Sequence, residues 1–309
     1  MNRIEKRVLA VLAGILLLAS LASPAGCAGS KAKWRLQDPL PQRQDLNSVW
    51  GTSSSDVFAV GGADLPRTSV VLHYDGSAWS PMDSGTTEPL CDVWGTSSSD
   101  VFAVSPQSTI VHYNGSRWSP MDAGGICCVC DIWGSSSSDV FIVGCGGDIL
   151  HYDGRRWSPM ASPTGNNLLA VWGTSSKDVF AAGMDGMIAH YNGYTWSIMR
   201  TGTTSFLTGL WGTSSSDVFA VGWYGTILHY DGSSWRIMTS GTDDWFMGVW
   251  GSSSSDVFAV ATSRTILHYD GKAWKAITCP SGGLEGIWGS SSSDVFAVGY
   301  AGTILHYTR

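Results

Sequence analysis

Every histidine of the chain stands at a set interval behind an aspartate, in a serine-rich setting. His112, His151, His190, His229, His268 and His306 each follow Asp100, Asp139, Asp178, Asp217, Asp256 and Asp294 by twelve residues, and His73 follows Asp56 by seventeen. Serine, histidine and aspartate together can activate a hydroxyl nucleophile, the imidazole taking the proton and the carboxylate orienting the imidazole. Imidazoles also bind metals, but several must reach one ion at about 2 Å. Here the set recurs seven times in near-identical surroundings, whereas a catalytic or metal site needs one special member. The expectation is therefore structural: a hydrogen-bonded unit joining each histidine to its turn aspartate or a turn serine.

The cysteines are less regular. Five of the seven (Cys91, Cys127, Cys128, Cys130, Cys145) crowd together, apart from Cys27 and Cys279. In an oxidising compartment this predicts one or two disulfides within the cluster. A zinc site from Cys127, Cys128, Cys130 and Cys145 is the alternative, since Cys127 and Cys130 have C-x-x-C spacing, but no histidine lies outside the repeated set. No metal and no cofactor is expected. A redox role has still less support, because no βαβ pattern surrounds the pair. The arginines that a sialidase-like pocket would gather (Arg67, Arg117, Arg155, Arg156, Arg200, Arg236, Arg264) are scattered over different repeat positions. No catalytic constellation emerges, and the chain is expected not to be an enzyme.

What must position these residues is a repeat. A Trp-Gly pair recurs at Trp50, Trp94, Trp133, Trp172, Trp211, Trp250 and Trp288, in steps of 44, 39, 39, 39, 39 and 38 residues. Each copy reads approximately WGTSSSDVFAVG, a variable piece, TILHYDGSxW and a polar tail. The segments around Trp-Gly, DVFAV, TILHY and WSPM carry β-branched and aromatic strand signals. Asp-Gly or Asn-Gly between the third and fourth suits a tight hairpin. Four strands in about 39 residues, seven times over, form the blades of a seven-bladed β-propeller.

The chain ends argue for a closed ring. The seventh copy stops at Arg309 without a fourth strand, while Lys33-Trp34-Arg35-Leu36 stands alone before the first. Trp34 precedes the next Trp-Gly by 16 residues, and the fourth-strand tryptophans (Trp79, Trp118, Trp157, Trp196, Trp235, Trp274) do so by 14 or 15. The N-terminal strand is thus predicted to complete the last blade and remove its exposed edge. In these motifs, over residues 34–309, the chain resembles bacterial secreted β-propellers with WGxSxxDVFAVG and HYDGxxW repeats, and more distantly Asp-box, kelch and WD-type propellers. It departs from the Asp-box in having four residues from Asp75 to Trp79 instead of five, and His73 in the usual Ser or Thr place. The resemblance implies the fold and a His-Asp set like the WD tetrad; such propellers serve as lectins, scaffolds and enzymes.

Residues 1–26, with Arg3, Lys6 and Arg7 before an apolar run from Val8 to Ala22, read as a signal peptide, and 27–33 as a short tether. Cys27 is a lipidation candidate in a Pro24-Ala25-Gly26-Cys27 setting that resembles a lipoprotein signal except at Pro24. The expected location is extracytoplasmic: a secreted protein or outer-membrane lipoprotein of a bacterium, with membrane contact only through Cys27. A net charge of −7 with 18 Lys and Arg argues against nucleic acid as partner.

In a propeller the second-to-third and fourth-to-first connections share one face, and there the copies differ; the opposite face is nearly constant. Variable loops on a constant scaffold suit binding. That face collects Asp185, Phe206, Trp223, Tyr224, Asp243, Asp244, Trp245, Phe246 and Tyr300, with Trp223 and Trp245 the two of 16 tryptophans outside the repeat pattern. Aromatics beside carboxylates suit a protein hot spot or stacking on a sugar. The predicted function is a non-catalytic platform for a protein or glycan, with a multivalent lectin or a glycoside hydrolase or lyase as alternatives.

Overall fold

The computed structural model describes residues 33–37, 43–122, 125, 128–279 and 283–308. The leader, Cys27 and Cys127 lie outside these. Seven four-stranded antiparallel sheets form the blades. Blade 1 comprises Leu46–Ser53, Asp56–Asp64, Arg67–Tyr74 and Trp79–Met82, and the later blades repeat the order. Their first strands (Asp92–Ser97, Val129–Ser136, Leu168–Ser175, Leu207–Ser214, Phe246–Ser253, Leu284–Ser291) pack on one another around the whole ring, blade 7 against blade 1 included.

Ring closure follows the sequence expectation. Strand Lys33–Leu36 pairs antiparallel with Thr303–Thr308, Trp34 opposite Tyr307. Trp34 is 1% exposed, its ring 5.3 Å from Tyr307 and edge-on at 6.1 Å to Phe258 of blade 6.

The repeated residues hold the blades together in two ways. Within a blade, the second strand (DVFAVG and relatives) is buried from its second residue onward, because sheets cover both its faces; a continuous apolar run is the mark of such a strand. Between blades, each Trp-Gly tryptophan lies over the glycine of the next pair. A Cβ added at Gly95, Gly134, Gly173, Gly212, Gly251 or Gly289 would stand 2.6–2.8 Å from Cη2 of Trp50, Trp94, Trp133, Trp172, Trp211 or Trp250. Only glycine leaves room for so close an approach.

The histidines form the expected structural unit. Each Nε2 meets Oδ1 of its turn aspartate at 2.6–2.7 Å, from His73–Asp56 to His306–Asp294. The other carboxylate oxygen accepts a turn hydroxyl, as from Ser135 to Asp139. Each imidazole also packs on the phenylalanine of its second strand, Phe141–His151 at 4.6 Å. Burial pushes the Asp139 carboxyl up, but the hydrogen bonds from His151 and Ser135 and the His151 charge outweigh it, leaving it below its ordinary value. The Asp-Gly turns are closed by the aspartate: Asp75 Oδ1 accepts the N–H groups of Ser77 (2.8 Å) and Ala78 (2.9 Å), with Gly76 at φ +92°.

The five extra residues of the first repeat, a Trp-Gly step of 44 against 39, fall within Gly61–Ser69. They lengthen the hairpin, Asp64 pairing with Arg67, and lift Leu65, 93% exposed, to a tip above the variable face.

Candidate functional site

Two positions meet at the inner rim of the variable face. One lies five residues before the Trp of Trp-Gly; the other opens the second-to-third connection. The second donates its N–H to the carbonyl of the first in Gly62–Asp45, Met184–Asn167, Trp223–Phe206, Thr262–Trp245 and Tyr300–Gly283, at 2.8–3.0 Å. In blade 3 the same positions are Cys128 and Cys145, joined by a disulfide. The backbone of this rim is repetitive and its side chains are not, so its chemistry changes from sector to sector.

At blades 5 and 6 the rim is aromatic. Trp223 and Trp245 stack with centroids 4.5 Å apart and 8° between planes. Phe206 leans on Trp223 at 4.7 Å, and Tyr224 stands edge-on to both indoles at 6.4 and 6.0 Å. The Gly225 N–H donates to the Asp244 carbonyl at 2.7 Å and ties the two loops together. Tyr224 is 63% exposed and holds φ +57°, a conformation that Gly146 fills in blade 3. An aromatic side chain in that region is strained by about 1–2 kcal/mol. Neither strain nor exposure serves the core. Because each indole spends one face on the other, the group is a ridge rather than a flat platform.

Of the nine residues expected here, Phe206, Trp223, Tyr224 and Trp245 come together. Asp243 is exposed and Asp244 half-buried on the connection that ends at Trp245. Asp185 occupies the Tyr224 position one blade earlier, also at positive φ, where its carboxylate accepts a 3.0 Å hydrogen bond from Asn166. One expectation needs correction. Phe246 is 0% exposed: it opens the first strand of blade 6 at the position that Leu46, Leu168 and Leu207 fill elsewhere, and it belongs to the core between blades 5 and 6. Tyr300 lies on the same rim as expected, in blade 7, its ring against Gly283 and its hydroxyl donating to the Glu285 carboxylate.

Glu285 is a residue that the repeat reading missed. Burial raises it to about 7 and the nearby Asp45 carboxylate adds to this, against the opposing hydrogen bond from Tyr300. Also missed were Asp92 and Asp131, two residues before their tryptophans in adjacent first strands. The signal was there: an acid at that position occurs in just these two copies, each beside a cysteine. Burial, then the Asp92 charge and a hydrogen bond with it, push Asp131 well above the carboxylate range. A paired, perturbed carboxyl is what an enzyme would need. Its oxygens, however, are engaged: Asp92 accepts from Ser48 Oγ (2.5 Å) and the Ile132 N–H (2.9 Å), and Asp131 from the N–H groups of Ile132 (3.0 Å) and Val171 (2.6 Å). Through these bonds each carboxyl fastens its blade to the next.

Of the one or two disulfides expected in the cluster, one stands among the described residues: Cys128 and Cys145 are bonded, whereas Cys91 and Cys130 are thiols. The Cys91 thiol donates weakly to the Val104 and Val129 carbonyls at 3.4 and 3.5 Å. Two shallow clefts lie at the outer edges of blades 2 to 4, one lined by Tyr194 and Trp196 and the other by Arg155 and Trp157, away from the aromatic rim.

No family model and no curated protein sequence matches the chain. Among solved structures, YCF48 bound to D1 peptide is similar at 15% identity and a TM-score of 0.72, over 89% of this chain and 95% of that one. The WD40 β-propeller domain of Doa1 gives 14% and 0.74, over 89% and 97%. Virginiamycin B lyase from Staphylococcus aureus gives 10% and 0.79, over 90% and 100%. At these identities the likeness shows the fold alone, so the chain is a seven-bladed β-propeller with WD40-like structural neighbours.

Proposed function

We propose that this chain is an exported, non-catalytic propeller that binds a protein partner on its variable face. The observation that carries the reading is Tyr224: a large ring held at φ +57°, 63% exposed, on a ridge of two stacked tryptophans. Such a residue is costly to the fold and useful to an interface, where Tyr and Trp anchors dominate binding energy. The neighbouring carboxylates Asp243 and Asp244 suit a partner segment with Lys or Arg beside apolar side chains. Leu65, on its hairpin tip, adds a second apolar contact to the same face. Proteins of this fold include one solved with a peptide, YCF48, and also a lyase. The engaged oxygens of Asp92 and Asp131 favour the non-catalytic alternative.

Export, with a lipid anchor at Cys27, belongs to the same proposal and rests on the leader-like residues 1–26.

The test is to probe the full-length chain on a peptide array and a glycan array, with Tyr224→Ala and Trp245→Ala in parallel. Binding to basic, apolar peptides that weakens about tenfold or more in both variants supports the reading, a tenfold loss being about 1.4 kcal/mol. Sugar signals lost in the same variants, with no peptide signal, would convert it to a lectin. Ligands that bind the variants as well as the parent would remove the site from this face.

A further inference from the structure

The blade 3 sector of the rim has a chemistry of its own. Cys128 and Cys130 flank Val129, the first residue of the first strand of blade 3, and a bulge sets Cys130 out of register with the partner strand. Val129, between them, pairs with Gly144, so Cys145 follows directly on the partner strand. All three sulfurs lie within 4.8 Å of one another, and all three residues are half-buried rather than sealed in the core. Cys128 and Cys145 share the disulfide and Cys130 stands beside it as a thiol.

We infer that, once the Cys128–Cys145 disulfide is reduced, Cys128, Cys130 and Cys145 form a three-thiolate site for one thiophilic cation, zinc(II) or copper(I). Three sulfurs bound to one ion at about 2.3 Å stand about 3.8–4.0 Å apart, so the trio needs adjustment rather than rebuilding. Soft thiolates select zinc and copper(I) over hard cations. Three protein ligands leave a coordination position open, as catalytic and exchangeable sites do.

The chemistry balances. A dithiol reductant gives two electrons and two protons to the S–S bond and becomes a disulfide itself. The resulting thiols of Cys128 and Cys145, with that of Cys130, then lose three protons to solvent as the cation binds.

The experiment compares the full-length chain in its oxidised form and after reduction and removal of the reductant. Equilibrium dialysis is run with Zn²⁺ alone and, without oxygen, with Cu⁺ alone. Co²⁺ serves as the optical reporter of thiolate ligation. One equivalent of Zn²⁺ or Cu⁺ on the reduced chain and none on the oxidised chain is expected, with a near-ultraviolet thiolate-to-cobalt band. Cys130→Ser retains the disulfide, and so the means of folding; reduced, it should bind at least tenfold more weakly. Cys279→Ser, remote in the repeat, should bind as the parent does. Equal uptake by both redox forms, no uptake by the reduced form, or a Cys130→Ser variant that binds undiminished would each overturn the site. Circular dichroism of the reduced parent accompanies these readings, and uptake by a chain that has lost its β signal counts against the proposal.

Discussion

The indole of Trp288 in blade 7 lies over Gly51 in blade 1. A Cβ at Gly51 would stand 2.9 Å from Trp288 Cη2 and 2.6 Å from the Asp56 carbonyl oxygen. Six other pairs repeat the contact, so this one is where the ring shuts. The carbonyl is backbone within the same hairpin and has nowhere to go. Gly51→Ala should therefore destabilise the protein by about 1–3 kcal/mol, as overpacking does. Gly165→Ala, with nothing within 4 Å of its added Cβ, should stay within about 0.5 kcal/mol. Urea unfolding midpoints of the two variants decide the point, and equal midpoints would deny Trp-Gly its role between blades.

Trp34 closes the ring from the outside. It is 1% exposed and touches both its own blade and blade 6. Trp34→Ala should cost about 3–5 kcal/mol, the range for a buried large aromatic. It should also loosen the outer edge of blade 7, visible as faster amide exchange in Thr303–Thr308 than in the equivalent third strands. A uniform loss of protection over all blades would show that closure is not local.

Closure, strand order and the histidine units could be read before any coordinates, because each is written several times. A pattern repeated seven times averages out the local ambiguity of any one copy, and a missing strand at one end is conspicuous against six complete copies. Phe246 misled for the opposite reason. It follows Trp245 directly, and the aromatic run concealed that its own position is the leucine position of the core. Tyr300 was placed on the right rim, but repeat position alone does not tell which blades touch. Glu285 escaped notice because its significance arises from burial and from a neighbour in another blade, Asp45, which spacing along the chain does not report.

Asp139 carries an acid-side prediction. Its folded carboxyl titrates below the ordinary 3.8, the hydrogen bonds from His151 and Ser135 outweighing burial. A depressed carboxyl contributes stability above its unfolded pKa and loses it as pH falls through the folded value. Asp139→Asn should thus be less stable than the parent at pH 7, by about 1–2 kcal/mol, and the gap should shrink as pH drops below 3.8. A gap independent of pH would mean that the charge of Asp139 does not contribute.

Glu285 predicts the opposite slope. Burial first, and Asp45 second, raise it from 4.5 to about 7. A raised carboxyl binds its proton more tightly when folded, so its contribution is complete below pH 4.5 and is lost as pH climbs to about 7. Glu285→Gln removes the titration. The variant should match the parent at pH 4.5 and exceed it at pH 8 by on the order of 2 kcal/mol. Unfolding midpoints at the two pH values, together with loss of the parent's decline, are the readout; parallel profiles would dismiss the effect.

Tyr224 separates binding from folding. Replacing it by glycine removes the edge contacts to Trp223 and Trp245 but also the strain of φ +57°, and glycine's greater freedom when unfolded offsets part of that relief. These opposing terms are each about 1 kcal/mol, so Tyr224→Gly should leave the unfolding midpoint nearly unchanged. Phe246→Ala, twenty-two residues on and sealed in the core, should cost about 3–5 kcal/mol. If the ridge binds a partner, the same Tyr224→Gly variant should lose about tenfold or more in affinity for whatever peptide the parent retains. A variant that is markedly less stable yet binds normally would make Tyr224 a structural cap for the two stacked indoles and leave the aromatic rim without an anchor.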